Sequence, residues 1–398
     1  MRPLRIAFVV SSLVLAGGER QQVALAERLP KDRFRIDFIA RAGEGPLDER
    51  ARAAGSRVIS IGTYTPEGAS LVRRTRAIVG RTEGLILAIG RGRYDIVDSW
   101  LYPSDLFAAA ARIVTRTPVV LSGRIDVLPR GRSDAVSKGM NWFAHRQFDA
   151  VTAICDAVAE NAVRAQGADP TRIRVIRNGV EMIPPLSSDE RARRRDELGA
   201  GEDDFLIGCV GNYREMKGHV LLVEAFAKVL EREPTARLVL VGEGPTRGEI
   251  ERAVRGLGLE DRVRLHGAVM DVSPYYGAFD LVVQASRSEG LPNVLVEAAA
   301  AGRPMVATAA GGTREIVIDG ETGILVPIED RAALTQGMLR AAQDPDLRLR
   351  LGQGARSHAE SAYGMDRFVR EWGDFYEEMA ARKGIARGTA ATSAGRSP

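Results

Sequence analysis

Ser288-Glu289-Gly290-Leu291-Pro292-Asn293-Val294-Leu295-Val296-Glu297 is the most informative stretch of this chain. It follows an apolar run that is typical of a buried strand. The sequence predicts a helix after this strand, which Asn293 caps or which has Pro292 in its first turn. Glu289 then lies on the loop at the carboxyl end of the strand, and Glu297 lies about one turn inside the helix.

The start of this helix offers a seat for phosphate, because the first N–H groups of a helix have no partner within it. The expected phosphate contacts lie between the two glutamates: Gly290, Leu291, Pro292, Asn293 and Val294. Carboxylates on either side of such a seat suit the hydroxyl groups of a carbohydrate. The pattern therefore points to a sugar nucleotide as the ligand.

Short apolar strands alternate with helical segments along all 398 residues. The expected strands are 4–10, 34–39, 57–61, 94–98, 118–121, 149–154, 173–177, 205–210, 236–241, 263–266, 280–284, 304–307 and 323–326. The expected helices are 19–29, 70–88, 104–115, 134–147, 156–166, 218–231, 245–256, 293–301, 330–342, 345–359 and 365–382. Such alternation predicts parallel sheets covered by helices on both faces, and the length fits two domains. The fold class is therefore α/β, with two Rossmann-like domains facing an interdomain cleft.

The first strand has a competing interpretation, since arginines followed by an apolar run also resemble a short signal peptide. The glycines at 17 and 18 and the amphipathic segment after them favour a strand, a glycine turn and a helix.

A proline-containing break at 181–186 predicts a hinge between the two halves. The expected organisation is an N-terminal domain over 1–183, a C-terminal domain over 184–362, a C-terminal helix over 363–383 and a disordered tail over 384–398. Four aromatic residues at helical spacing in the last helix are expected to be core: Phe368, Trp372, Phe375 and Tyr376.

The stretch from Glu289 to Glu297, with the small residues that follow it, resembles the E-x7-E region of the retaining glycosyltransferases of family GT4. Other segments similar to this family are Lys217-Gly218, Arg177-Asn178-Gly179-Val180 and 310–327. The similarity is most specific from about 175 to 330. It implies the GT-B fold, a C-terminal domain that binds the donor nucleotide, an N-terminal domain that binds the acceptor, and a last helix that returns to the first domain.

The resemblance also implies roles for residues that follow other strands of the second half. Lys217, at the start of a helix, is expected to stabilise the leaving diphosphate. Asn212 stands where the family usually has an arginine, and Arg214 is the candidate substitute. Gly242, Gly244 and His266 are expected near the nucleotide, although two glycines at a strand end also suit a simple turn. The segment 177–180 is expected to be a tight turn without a catalytic role.

The first half carries weaker signals. Gly17 and Gly18 resemble the glycine-rich loop of the family, whose amides contact phosphate or sugar. Many relatives have a histidine after the strand at 118–121, but here the sequence is Ser122-Gly123-Arg124-Ile125-Asp126. Arg124 and Asp126 are therefore the candidates for contacts with the acceptor or the sugar.

Composition limits the cofactors and the compartment. The four histidines have no metal-ligand spacing, and the two cysteines each lie in an apolar, strand-like context. We therefore expect no cofactor, no metal, no disulfide framework and a cytoplasmic location.

Charge is unevenly distributed along the chain. Residues 1–185 carry 28 Lys and Arg against 19 Asp and Glu, whereas the remainder carries 28 against 33. A basic first half suits an acidic acceptor or an anionic membrane, although solvated arginine-rich helices give the same count. No nucleic-acid-binding motif is present, and we expect no such partner. Peripheral contact with an anionic membrane is a second hypothesis, assigned to Arg130, Arg132, Lys138, Trp142 and Phe143.

The sequence thus predicts a retaining, metal-independent glycosyltransferase that moves a sugar from a nucleoside-diphosphate sugar to a glycan or lipid-linked acceptor in bacterial surface polysaccharide or glycolipid synthesis. The resemblance assigns catalytic roles to Glu289 and Lys217, and it assigns the ribose hydroxyls to Glu297. A nucleotide-sugar epimerase of the same fold, a phosphorylase and a sugar-nucleotide-binding protein without activity are the alternatives.

Overall fold

The computed structural model describes residues 2–14, 17–63, 70–100, 104–124 and 142–385. The chain divides into two compact units, residues 1–176 with 368–398 and residues 177–367. The sequence placed the boundaries at 183/184 and 362/363, which both lie inside the second unit.

The first unit is built on a seven-stranded parallel sheet in the order β3-β2-β1-β4-β5-β6-β7. Its strands are β1 Leu4–Val10, β2 Phe34–Ala40, β3 Val58–Ser60, β4 Ile96–Trp100, β5 Val119–Arg124, β6 Ala150–Ala153 and β7 Ile173–Val175. The helices are α1 Gly17–Arg28, α2 Asp48–Ala53, α3 Leu71–Gly92, α4 Ser104–Thr115, α5, which includes residues 142–147, and α6 Asp156–Gln166. β1 lies inside the sheet between β2 and β4, and this confirms that residues 4–10 form a strand.

The last helix, α15 over Met365–Arg382, continues into the first unit from Phe368 onward. Its aromatic side chains are buried, as the sequence predicted. Trp372 stacks on Trp100 with ring centroids 5.8 Å apart, and the Tyr376 hydroxyl donates to Asp98 Oδ2 at 2.8 Å. The expectation that the C-terminal helix returns to the first domain is confirmed.

The second unit contains a six-stranded parallel sheet in the order β10-β9-β8-β11-β12-β13. Its strands are β8 Phe205–Val210, β9 Ala236–Val241, β10 Val263–Gly267, β11 Leu281–Gln284, β12 Met305–Thr308 and β13 Ile324–Val326. The helices are α7 Ser188–Glu197, α8 His219–Leu230, α9 Arg247–Gly256, α10 Ser273–Ala278, α11 Asn293–Ala300, α12 Thr313–Ile316, α13 Arg331–Gln343 and α14 Pro345–Tyr363. The α/β class with two Rossmann-like domains is confirmed.

Four helices were missed by the sequence analysis: α2, α7, α10 and α12. All are short, and α7 is so rich in charge that it shows no apolar periodicity. The capping box formed by Ser187 and Glu190 was the available signal for α7, because each side chain bonds to the other residue's backbone N–H.

The predicted tight turn at 177–180 is wrong. This segment makes no turn, because the Val180 N–H donates to the Tyr363 carbonyl at 2.7 Å and the Arg367 guanidinium donates to the carbonyls of Arg177 and Asn178. These bonds hold the segment extended within the second unit, so its backbone groups are satisfied without a turn.

Among the residues that the structure describes, no helix combines the length and the apolar character that a bilayer crossing requires. The expected tail over 384–398 lies almost wholly outside the described residues, as does the first part of the helix expected at 134–147.

Burial raises the pKa of the Asp98 carboxyl to about 7, and the bond from Tyr376 opposes the rise only in part. The folded chain therefore holds the proton more tightly than the unfolded chain. The contribution of this carboxyl to the free energy of unfolding falls as the pH rises from about 4 to about 7 and is constant above that range.

Asp98→Asn is expected to remove this pH dependence, because the amide keeps an oxygen for Tyr376 and carries no charge. The measurement is the free energy of unfolding in urea at several pH values. The free energy of unfolding of the variant should rise relative to that of the wild type as the pH increases from about 4 to about 7. Parallel profiles for the two proteins would contradict the assignment.

Candidate active site

Glu289 lies on the loop between β11 and α11, as the sequence predicted, and its side chain is only 8% exposed. Three donors converge on its Oε1 atom: Lys217 Nζ at 2.6 Å, Gln284 Nε2 at 2.7 Å and Ser286 Oγ at 2.6 Å. The carboxylate is therefore fixed in one orientation, and its Oε2 atom takes no part in these three bonds.

Lys217 reaches Glu289 from the loop that follows β8. A 3-10 turn over Glu215–Lys217 ends at Gly218, which has a φ of +67°. A Cβ atom at Gly218 would overlap the Ala285 carbonyl oxygen, so only glycine lets the two loops meet this closely. The Arg287 N–H also donates to the Met216 carbonyl at 2.8 Å. This bond fixes the lysine loop, residues 211–218, against the glutamate loop, residues 285–292.

The opposite side of the glutamate loop is held by the segment after β12. A Cβ atom at Gly311 would overlap the Glu289 carbonyl oxygen, and the Gly312 N–H donates to the Gly290 carbonyl at 2.8 Å. Thr308 Oγ1 donates to the Ser286 carbonyl at 2.5 Å. The backbone around Glu289 is thus confined between two glycine contacts, at Gly218 and Gly311.

The predicted capping of α11 needs correction. Pro292 occupies the N-cap position and makes no side-chain cap bond, whereas Asn293 is the first helical residue. The Asn293 side chain accepts a bond from Asn178 Nδ2 at 2.7 Å, so its oxygen is used for a contact with the 177–180 segment. The first N–H donor bonded within the helix belongs to Leu295, and the amides of Asn293 and Val294 precede it.

Glu297 lies one turn inside α11, as expected, and is half-buried. Its Oε2 atom accepts a bond at 2.9 Å from the hydroxyl of Tyr276, a buried residue of α10. Both glutamates of the motif are therefore oriented by partners that the sequence did not indicate.

Asn212 and Arg214 are both exposed, and Tyr213 between them is buried with its hydroxyl donating to the Leu240 carbonyl. The glycines at 242 and 244 face this loop. A Cβ at Gly242 would overlap the Gly211 carbonyl oxygen, and one at Gly244 would overlap that of Tyr213. Both glycines are therefore required for the packing of two loops, whether or not they also contact a ligand.

Burial lowers the pKa of two histidines of the second unit. His266 bonds to the Tyr275 hydroxyl at 3.0 Å, and burial lowers its pKa, helped by Arg264 and Arg194. His219 follows Gly218 and packs against the Tyr213 ring. Burial, with a smaller effect of Lys217, lowers the pKa of His219 to about 4. The sequence analysis did not single out His219 as a neighbour of Lys217.

In the first unit, Gly17 and Gly18 are the first residues of α1. Arg124 ends β5, but its side chain and the whole of Asp126 lie outside the described residues. The sequence analysis did not name Arg41, a buried residue directly after β2. Its Nε donates to Ser104 Oγ at 3.1 Å. Burial lowers the pKa of Arg41 to about 10, since the charged form loses hydration there.

Two family models match the chain: "Glycosyl transferases group 1" over residues 190–358 and "Glycosyltransferase Family 4" over residues 15–182. A protein of Kribbella flavida named D-inositol 3-phosphate glycosyltransferase is 33% identical over 373 residues, which cover 87% of each chain. The chain belongs to the group 1 glycosyl transferases of family 4. It is a glycosyltransferase.

Other relatives of this glycosyltransferase agree with that assignment. A Streptomyces bingchenggensis protein, also named D-inositol 3-phosphate glycosyltransferase, is 29% identical over 392 residues, or 92% of this chain and 85% of its own. The crystal structure of Anabaena HepE in complex with UDP-glucose has a TM-score of 0.82 at 21% identity, covering 94% of this chain and 100% of that one. WaaG, a glycosyltransferase involved in lipopolysaccharide biosynthesis, has a TM-score of 0.73 at 18% identity, covering 93% and 99%. These structures establish the GT-B fold.

Gly218→Ala is expected to separate the lysine loop from the glutamate loop and to reduce sugar transfer by at least tenfold. Gly258→Ala is the matched control, because Gly258 has a φ of +65° and nothing within 4 Å of its added Cβ. Both variants pay about 1–2 kcal/mol for the left-handed backbone, but only Gly218→Ala adds the overlap with Ala285. Equal transfer rates in the two variants would show that this close approach has no catalytic value.

Proposed function

We propose that this glycosyltransferase retains the anomeric configuration of the sugar that it moves from a nucleoside-diphosphate donor to a glycan or lipid-linked acceptor, in bacterial surface polysaccharide or glycolipid synthesis. The observation that carries the proposal is the Glu289 carboxylate, held by Lys217, Gln284 and Ser286 beside the start of α11. A fixed anion, an ammonium group beside it and helix-terminal amides suit the charges that develop as a sugar–phosphate bond breaks.

Each group has a part in this scheme. The bond between the anomeric carbon and the diphosphate oxygen breaks, and its electron pair stays on the diphosphate. Lys217 has three N–H donors, so it can keep its bond to Glu289 and turn another toward the departing oxygen. The amides at the start of α11 bind the same diphosphate.

Glu289 faces the donor sugar with Oε2, where a negative charge stabilises positive character at the anomeric carbon. Glu297 binds the ribose hydroxyls. The acceptor hydroxyl attacks from the face that the diphosphate leaves, and its proton passes to the departing phosphate oxygen. Since Lys217 and the amides supply the positive charge, we propose that the reaction needs no metal ion.

The relatives indicate which donor and acceptor to test first. The HepE structures are complexes with UDP and with UDP-glucose, so a UDP-sugar is the first donor to test. Several relatives are named for D-inositol 3-phosphate, which makes a phosphorylated polyol the first soluble acceptor. The excess of basic residues in the first half suits an acceptor with phosphate groups.

Lys217→Met and Glu289→Gln are each expected to lower kcat by about 10²–10³, the usual loss when one preorganised stabilising group is removed. The matched controls are Lys228→Met and Glu231→Gln, which break a similar ion pair of 2.7 Å on the surface of the same unit. Near-normal transfer by the site variants, or equal losses in the controls, would contradict the assigned roles.

The donor prediction is tested by thermal unfolding with UDP-, GDP- and ADP-sugars, followed by transfer with the donor that stabilises the chain. We expect stabilisation by a UDP-sugar, a product with the anomeric configuration of the donor by proton NMR, and unchanged rates with EDTA. Inversion at the anomeric carbon would refute the retaining mechanism. Binding without transfer to any tested acceptor would favour a protein that only binds sugar nucleotides.

A further inference from the structure

Exposed apolar side chains are concentrated on one helical layer of the first unit. In the described residues, seven of the twelve large apolar side chains that are exposed lie on three helices: Ile78, Val79 and Leu87 on α3, Ile113 and Val114 on α4, and Trp142 and Phe143 on α5. Single exposed apolar residues are normal on a protein surface, but a group of this size on one layer marks an interaction site.

The three helices share one face of the seven-stranded sheet. Their inward side chains form a common core with the strands, to which Leu85 and Ile89 of α3, Phe107 of α4, and Ala144 of α5 contribute. Side chains on the other side of each helix point away from that core. The exposed apolar residues therefore belong to one outer surface, which we call the α3–α5 layer.

The charge of the α3–α5 layer is strongly positive. Six arginines on these helices or at their ends are exposed: Arg73, Arg76, Arg91, Arg93, Arg116 and Arg146. Glu83 is the one exposed carboxylate among the described residues of 71–93, 104–116 and 142–147. The Arg146 guanidinium lies 4.6 Å from the Trp142 ring centroid, so a cation and an indole are presented together.

We propose that the α3–α5 layer binds the surface of a membrane that contains anionic lipids. Apolar and aromatic side chains enter the boundary between headgroups and acyl chains, and arginines around them pair with lipid phosphates. Charge complementarity selects this partner over a second copy of the chain, because two positive layers would repel each other. The proposal goes beyond sugar transfer and can be tested without a donor.

The sequence assigned membrane contact to Trp142, Phe143 and three basic residues. Trp142 and Phe143 are exposed in the structure, whereas Arg130, Arg132 and Lys138 lie outside the described residues. The structure adds α3 and α4, which supply most of the exposed apolar side chains. The proposed surface is therefore larger than the segment that the sequence indicated.

The first measurement is flotation of the full chain with vesicles of phosphatidylcholine, with and without phosphatidylglycerol. We expect binding to the anionic vesicles alone, weakened by salt. Trp142 is 58% exposed, whereas Trp100 and Trp372 are 5% and 2% exposed, so a blue shift of tryptophan emission on binding reports Trp142. Equal binding to both kinds of vesicle, or none to either, would overturn the proposal.

Two pairs of variants separate the electrostatic and the apolar contributions of the α3–α5 layer to vesicle binding. Arg73→Gln with Arg76→Gln should weaken partitioning roughly 25-fold, at about fivefold per basic residue. Val79→Ser with Leu87→Ser should weaken it at every salt concentration. The matched controls lie on the second unit, Arg252→Gln with Arg350→Gln and Leu257→Ser with Leu349→Ser, all at exposed positions.

Unchanged binding by the control pairs and unchanged thermal unfolding of all variants would support the proposal. Equal losses in layer and control variants would overturn it. So would a concentration-dependent dimer that the layer variants abolish, because the surface would then be a protein interface.

Discussion

The candidate site depends on the close approach of three backbone segments around Glu289. Gly218 on one side and Gly311 on the other lie where any side chain would overlap a carbonyl oxygen of the glutamate loop. This contact brings Lys217 Nζ to 2.6 Å from Glu289 Oε1. Gln284, at the end of β11, and Ser286, just after that strand, donate to the same oxygen. Rigid support of this kind gives a charged group catalytic value, because no reorganisation is needed during the reaction.

The first unit is held together by different contacts. Its sheet and its last helix are joined by buried aromatic packing and by the bond between Tyr376 and Asp98, whereas its outer helices expose apolar and basic side chains. The buried aromatic packing holds the sheet and the last helix together, and the apolar and basic exterior fits the membrane contact proposed for the α3–α5 layer.

The sequence predicted every strand of both sheets, because each is a short apolar run between helices and parallel strands are buried on both faces. It also placed Glu289 on the loop after one strand and Lys217 between another strand and a helix, but it did not predict the pairing of β8 with β11 that makes the two loops neighbours. It could not predict that Gln284 and Ser286 bind Glu289, or that Tyr276 binds Glu297. Those contacts depend on side-chain directions that residue spacing does not encode. The sequence analysis missed α7 because nearly all of its residues are charged, so it has no apolar periodicity.

The account is tested most directly by a crystal structure of the chain with an intact, slowly transferred UDP-sugar. It predicts that the diphosphate lies at the first amides of α11 within hydrogen-bond distance of Lys217 Nζ, and that Glu289 keeps its bonds to Gln284 and Ser286 while Oε2 faces the sugar. A diphosphate bound elsewhere in the second unit, with the ion pair between Lys217 and Glu289 turned away from the donor, would contradict it.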